Sequence, residues 1–286
     1  MPELPEVETI ARDIRPHLEG ARIRSARLFK PDILRGIKRP AFERGLTGRR
    51  VSAVGRRAKH LVIELDSGSR MVIRPGMTGA VLTEQRPGAG GRSGRSGSRS
   101  GERERHDVLH LQLSTGVLVR YRDVRRLGGI YLLNPEQWLK YDASLGPEPL
   151  AESFTPGVLA TMLQGSRLAV KKAIMDQKKL VGVGNIYASE ALWMAQIDPS
   201  RESRRITLEE SGRLHGAIVD VLSRSIEGRG TTFRDYRTGT GEPGDFQGRL
   251  AVYGREREPC LRCGRRIVMT HAIDARSSYF CPGCQG

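Results

Sequence analysis

The chain has 286 residues, with 48 lysines and arginines against 32 aspartates and glutamates and a formal net charge of +16. That length supports more than one domain with a core of its own, and the basic excess points to a polyanionic partner, nucleic acid foremost, because cations that neutralise phosphates release condensed counterions. There is no run of about 18 apolar residues to span a membrane and no charged-then-apolar leader, so a soluble intracellular protein is expected.

The first element is an amphipathic helix over residues 5–19: Leu4, Val7, Ile10, Ile14 and Leu18 recur at helical spacing, Pro5 suits a first turn, and Glu6 and Glu8 suit the positive end of the helix dipole. Ahead of it stands Met1-Pro2-Glu3. Proline is small enough for Met1 to be removed, which would leave Pro2 with an exposed secondary amine. An α-amino group titrates near pH ~8, so roughly a tenth of it is unprotonated at neutrality, and such an amine can attack a sugar C1′ and form an iminium. Glu3 beside it is a carboxyl acid or base.

Residues 21–84 and 108–133 alternate apolar and polar side chains in short runs broken by glycine, as in H-L-V-I-E-L-D-S-G, which is the pattern of half-buried antiparallel strands in a sandwich. Between them, residues 86–105 are almost all arginine, glycine and serine and form an expected mobile basic loop. Gly146 to Leu150, G-P-E-P-L, is an expected hinge. Beyond it Thr155-Pro156 and Gly165 bound one helix, and Thr207 with Glu210 forms a capping box before another, so residues 155–227 are expected as a small helical bundle. Within the bundle, Gly182 and Gly184 permit a tight turn, Asn185 can cap the next helix, and the freed backbone N–H groups suit a phosphate.

All four cysteines fall near the end: Cys260 and Cys263, then seventeen residues, then Cys281 and Cys284. Two C-x-x-C knuckles at that separation read as a tetrahedral thiolate site for one zinc ion, and four protein ligands leave no open position, so the zinc is structural.

The start M-P-E-L-P-E-V-E-T, the segment L-V-G-V-G-N-I-Y-A-S-E-A-L and the two cysteine knuckles together resemble the formamidopyrimidine-DNA glycosylases, bifunctional repair enzymes with an N-terminal proline nucleophile. The resemblance covers nearly the whole chain apart from the basic insertion, and Leu4 favours this branch over the related endonuclease VIII branch. It implies an α+β multidomain protein: an N-terminal antiparallel β-sandwich with flanking helices (1–145), a helix-two-turns-helix bundle (146–235), then a lesion-covering loop and a zinc-finger β-hairpin (236–286).

The same resemblance implies the site. Pro2 would be the nucleophile and Glu3 the proton-handling group, with Glu6 supporting the local geometry. Lys59, at the mouth of a strand in R-R-A-K-H-L, would assist catalysis, keep the amine unprotonated and bind a flanking phosphate. Arg276, five residues before Cys281, would grip the phosphate of the everted nucleotide. Met77 in G-M-T-G, with Arg125 and Leu127 in D-V-R-R-L-G-G, would fill the hole left by that nucleotide, Leu127 standing where the family has phenylalanine. His106, Lys171 and Asn185 would contact DNA. Residues 233–247 would close over the flipped base, with Asp245 where tyrosine is frequent.

The expected partner is double-stranded DNA with oxidised bases or abasic sites, met by a monomer in the cytoplasm and associated with the nucleoid through DNA. Two other readings share parts of the pattern. An endonuclease VIII-like enzyme would use the same chemistry on oxidised pyrimidines, and a non-catalytic DNA-binding zinc protein would account for the charge and the cysteines but not for Pro2 and Glu3.

Overall fold

Helix α1, Leu4–Leu18, carries Val7, Ile10, Ala11, Ile14 and Leu18 on one fully buried stripe. The computed structural model describes residues 1–85, 105–232 and 236–285. The arginine-glycine-serine stretch 86–104 lies outside them, as do residues 233–235 of the expected lesion-covering segment. The chain divides into two compact units, one of Met1–Pro2, Glu6–Asp142 and Arg229–Asp245, the other of Glu3–Pro5, Ala143–Gly228 and Phe246–Gly286.

The first unit is a sandwich of two four-stranded antiparallel sheets. One has the order β1 (Ile23–Leu28), β6 (Asp107–Leu113), β7 (Val117–Asp123), β5 (Gly79–Gln85); the other has β2 (Val51–Arg57), β3 (His60–Leu65), β4 (Arg70–Arg74), β8 (Gly129–Leu133). Along β7 burial alternates strictly, with Val117, Val119, Tyr121 and Asp123 inward. The inward side chains of both sheets and the stripe of α1 share one hydrophobic core.

One helix interrupts the first stretch that the sequence pattern reads as strands, and another follows the second stretch. Helix α2, Arg39–Leu46, has Pro40 in its first turn and buries Phe42 and Leu46, one turn apart. Helix α3, Pro135–Ala143, is opened by a reciprocal cap in which Gln137 N donates to Asn134 Oδ1 at 2.8 Å and Asn134 N to Gln137 Oε1 at 3.0 Å. It lies on the outer face of the β2-β3-β4-β8 sheet, where Tyr141 meets His60 and Tyr131, and Arg70 stacks over Trp138 at 4.8 Å.

The second unit is a helical bundle followed by a hairpin. Helix α4 (Pro156–Gln164) begins at Thr155 and ends at Gly165, and α7 (Leu208–Glu227) begins at the Thr207–Glu210 capping box, as the sequence predicts. Between them lie α5 (Val170–Met175) and α6 (Asn185–Ala195). Leu159, Leu163, Ile174, Tyr187, Leu192, Leu214, Ile218 and Leu222 build the core, which also takes in Leu4 and Phe246. The hairpin is β9 (Val268–Thr270) against β10 (Ser278–Phe280).

Gly146–Leu150 is not a free hinge. Gly146 N donates to Gln177 O at 2.9 Å and Val181 N to Pro147 O at 3.2 Å, so the segment packs inside the second unit, whose boundary is at Ala143.

Candidate functional site

In the second unit, the turn before α6 is shaped around Glu3. Gly182 has φ +81°, a left-handed backbone that favours glycine, and its carbonyl accepts the Leu4 N–H at 3.1 Å. Gly184 has ordinary φ, and its lack of a side chain serves a different need: a Cβ there would run into the Glu3 carboxylate. That carboxylate, 5% exposed, accepts the N–H of Ile186 at 3.1 Å. An acid held on a free N–H in the first turn of α6 sits in the favourable field of the helix dipole.

Asn185 therefore does not do what the local pattern predicts. Gly184 holds the cap position with no side-chain hydrogen bond, and Asn185 is the first residue of the helix. Its Nδ2 reaches across to the Ser277 carbonyl at 2.9 Å and to the Tyr253 hydroxyl at 3.4 Å. Lys171, fully buried on α5, donates to the same Ser277 carbonyl at 3.2 Å and to Ser278 Oγ at 2.7 Å. Burial pushes the Lys171 ammonium down to about 8; Asp274 and Glu3 pull it up, and Arg276 pushes it further down. The bundle thus grips the start of β10 through two side chains, and the exposed Arg276 is the residue immediately before the gripped carbonyl.

A buried carboxylate invisible to sequence reasoning anchors the approach to the hairpin. Glu190 on α6 accepts the backbone N–H groups of Ala251, Val252 and Tyr253 at 2.8–2.9 Å. Burial pushes its pKa above the usual carboxylate range, a rise that those three donors only partly offset. Val252 passes directly into the small core of the hairpin, with Ile267, Cys260 and Cys281.

The four thiols lie within 4.8 Å of one another, with Cys260 and Cys284 at 3.8 Å and Cys263 and Cys281 at 3.4 Å. A tetrahedron of Zn–S bonds near 2.3 Å has S···S edges of about 3.8 Å, so the donor set fits one zinc ion with no position left for water. The Trp193 indole N–H points at Cys260 Sγ from 3.4 Å and its ring lies under Arg262 at 4.5 Å.

In the first unit, Pro2 is buried in the chain with Met1 in place. Glu6, 2% exposed, accepts the Thr231 N–H at 2.8 Å, and the Tyr236 hydroxyl donates to the Glu6 carbonyl at 3.3 Å. Residues 229–231 and 236–239 are thereby fastened to α1, further secured by Arg229 on Asp13 at 3.0 Å and by Gly239 N on Asp13 at 2.9 Å. Asp245 is exposed and pairs with Thr231 in an isolated bridge.

Lys59 is 6% exposed at the β2–β3 turn, just after Ala58 with φ 56°. The next residue, His60, shares a 2.8 Å hydrogen bond through Nδ1 with Tyr141; burial pushes it down to about 4, helped by Arg74, Lys59, Arg57 and Arg56, so it is neutral.

Met77 and Leu127 are 40% and 54% exposed, unusual for such side chains, and Arg125 is exposed beside them. Their two turns are brought together by Asp123, the inward carboxylate that ends β7. His106 is half-buried in the turn just before β6, and its carbonyl accepts the Asp123 N–H at 3.2 Å. A charged residue at an inward position of an alternating strand was the available signal for Asp123.

An N-terminal sandwich, a bundle whose glycine turn opens a helix, and a four-thiolate hairpin define a helix-two-turns-helix zinc-finger architecture. Comparison with known proteins makes this specific. Residues 1–130 match the family model of the formamidopyrimidine-DNA glycosylase N-terminal domain, residues 145–236 that of the formamidopyrimidine-DNA glycosylase H2TH domain, and residues 257–286 a zinc finger found in FPG and IleRS. The chain is 42% identical over 289 aligned residues to the formamidopyrimidine-DNA glycosylase of Xanthomonas axonopodis pv. citri, covering 100% of both, and 38% identical over 287 to that of Desulfitobacterium hafniense, again covering 100% of both. Among solved structures, MutM (Fpg) of Thermus thermophilus superposes with TM-score 0.84 at 36% identity, over 100% of this chain and 99% of that one. A Lactococcus lactis Fpg mutant in complex with Fapy-dG containing DNA gives 0.86 at 29% identity over 99% of each. The chain belongs to the formamidopyrimidine-DNA glycosylase family. No helix among the described residues is long and apolar enough to cross a membrane.

Proposed function

We propose that the protein is a bifunctional DNA glycosylase and AP lyase that removes oxidised purines, 8-oxoguanine and formamidopyrimidines, from duplex DNA and nicks the resulting abasic site. The observation that carries this reading is that likeness to proteins named formamidopyrimidine-DNA glycosylase runs through the whole chain, Pro2 and Glu3 included. The exposed Met77, Arg125 and Leu127 support it, because an enzyme that extrudes a nucleotide must refill the stack.

With Met1 removed, the Pro2 amine attacks C1′ of the everted nucleotide, and the bond to the damaged base breaks as the base leaves with a proton. Glu3 handles the protons at the sugar as C1′–O4′ opens to the iminium. The iminium acidifies the C2′ hydrogens. Loss of one expels the 3′ phosphate by β-elimination, and δ-elimination then expels the 5′ phosphate. Lys59 and Arg276 stabilise those phosphates, and Glu6 keeps the first turn of α1 in place. Asn185 and His106 contact the DNA, and the fully buried Lys171, expected from the sequence as a further contact, instead holds the start of β10 next to Arg276. The zinc holds the hairpin's shape. The protein works as a monomer in the cytoplasm, associated with the nucleoid through DNA.

The test is a comparison of duplexes carrying 8-oxoguanine opposite cytosine with duplexes carrying thymine glycol. Faster cleavage of the first is expected; a clear preference for thymine glycol would favour an endonuclease VIII-like enzyme and overturn the purine assignment.

A further inference from the structure

Strands β5 and β7 are paired in register from Gln85↔Val117 down to Gly79↔Asp123, and there the ladder stops. Beyond that last pair the two chains run out into separate turns, one carrying Met77 and the other Arg125 and Leu127. Exposed turns that leave a ladder this way ordinarily move independently. Here they are tied. Thr78 Oγ1 donates to Asp123 Oδ1 at 2.6 Å and accepts the Arg125 backbone N–H at 2.9 Å. A side-chain hydroxyl thus supplies one more rung after the backbone ladder has ended.

The carboxylate behind that rung is itself fully committed. Asp123, 1% exposed, also accepts the Arg126 N–H at 3.0 Å on Oδ1, and on Oδ2 the Gly128 N–H at 3.1 Å and the Tyr121 hydroxyl at 3.3 Å. Arg126 sits at φ 52°, a conformation uncommon outside glycine, and its guanidinium is pinned to Asp32 at 3.1 Å. One turn is therefore organised around Asp123; the Met77 turn is held at its two ends by the Arg74↔Gly129 and Gly79↔Asp123 pairs and by the Gly76 backbone on the Tyr121 hydroxyl, and the Thr78 hydroxyl carries that connection on to the Arg125 N–H.

We propose that Thr78 is a positioning residue for base eversion, holding the Met77 turn and the Arg125–Leu127 turn together so that they enter the duplex as one wedge. The inference rests on the reading that these turns refill the stack during lesion excision. Serine has the same donor and acceptor capacity as threonine, whereas valine has the same shape and neither.

The test uses the full, zinc-loaded chain with Met1 removed, under single-turnover conditions, on an 8-oxoguanine duplex and on a duplex with a pre-formed abasic site, which has no damaged base to extrude. Thr78→Val is expected to slow base excision ~10-fold, the effect of one hydrogen bond lost from the transition state. Nicking of the abasic duplex should stay within about twofold of the parent rate, and Thr78→Ser should restore excision. In the free protein, amide hydrogen exchange at Arg125 should quicken in Thr78→Val and not in Thr78→Ser.

Unchanged excision by Thr78→Val beside an active parent would overturn the tie alone, as would equal losses on both substrates accompanied by a lower melting temperature. A parent protein inactive on both duplexes would instead sink the glycosylase reading, and the proposal with it.

Discussion

The Glu3 carboxylate accepts a hydrogen bond from the Ile186 backbone N–H at 3.1 Å, joining residues 183 positions apart. The candidate proton-handling group is therefore held on the first turn of α6. Glu3→Gln keeps an oxygen for that N–H and removes the acid. It is expected to lower base excision by about 10²-fold or more while leaving the melting temperature nearly unchanged. Gly184→Ala has no room beside Glu3 and should lower both, since the carboxylate must leave its seat. Single-turnover kinetics with thermal melting separates the two behaviours.

Glu6 has a structural partner of the same kind in the Thr231 N–H at 2.8 Å. Glu6→Ala strands a buried donor and should cost about 1–3 kcal/mol in urea unfolding. Glu6→Gln, which still offers an oxygen, should cost less. Equal stability of the alanine variant and the parent would contradict the tie.

Lys171 supplies the pH dependence. Its ammonium is pushed down to about 8 by burial, whereas an unfolded lysine holds its proton to ~10.4. Between those values the unfolded chain binds more protons, so this residue's contribution to stability rises with pH across that window and is least favourable below it. Lysine-selective NMR should find one side chain titrating near pH 8. Lys171→Met should abolish that signal and flatten the alkaline rise in stability.

Zinc removal should unpin the hairpin, whose small core has Cys260 and Cys281 packed with Val252 and Ile267. Elemental analysis should give one zinc per chain, and chelation should change the fluorescence of Trp193, whose N–H faces Cys260 Sγ. Trp138→Phe isolates that signal, because the chain has only 2 tryptophans. A chelated protein with unaltered Trp193 emission and DNA affinity would contradict a structural zinc.

Short-range patterns were the legible part of this fold. The Thr207–Glu210 capping box, the Thr155 and Gly165 ends of α4 and the cysteine knuckles lie within a few residues of their partners and appear as read. Helix α3 has a short-range signal of the same kind, since Asn134 and Gln137 form a reciprocal cap at the usual spacing. Asn185 looked like a cap because its neighbours suit one, yet the free N–H of Ile186 is taken by a residue from the chain start. Glu190 gave no signal, because its three partners lie some sixty residues away and are all backbone.

The central claim is that the Pro2 nitrogen becomes bonded to a sugar carbon, and borohydride trapping measures it directly. Mass spectrometry first establishes that Met1 is absent, because retained Met1 leaves that nitrogen in an amide. Processed, zinc-loaded protein incubated with an 8-oxoguanine duplex and borohydride should give a stable protein–DNA adduct, mapped by peptide sequencing to Pro2 and absent when Met1 is retained. No adduct with any oxidised-base or abasic duplex, or an adduct mapping to a lysine, would contradict the account.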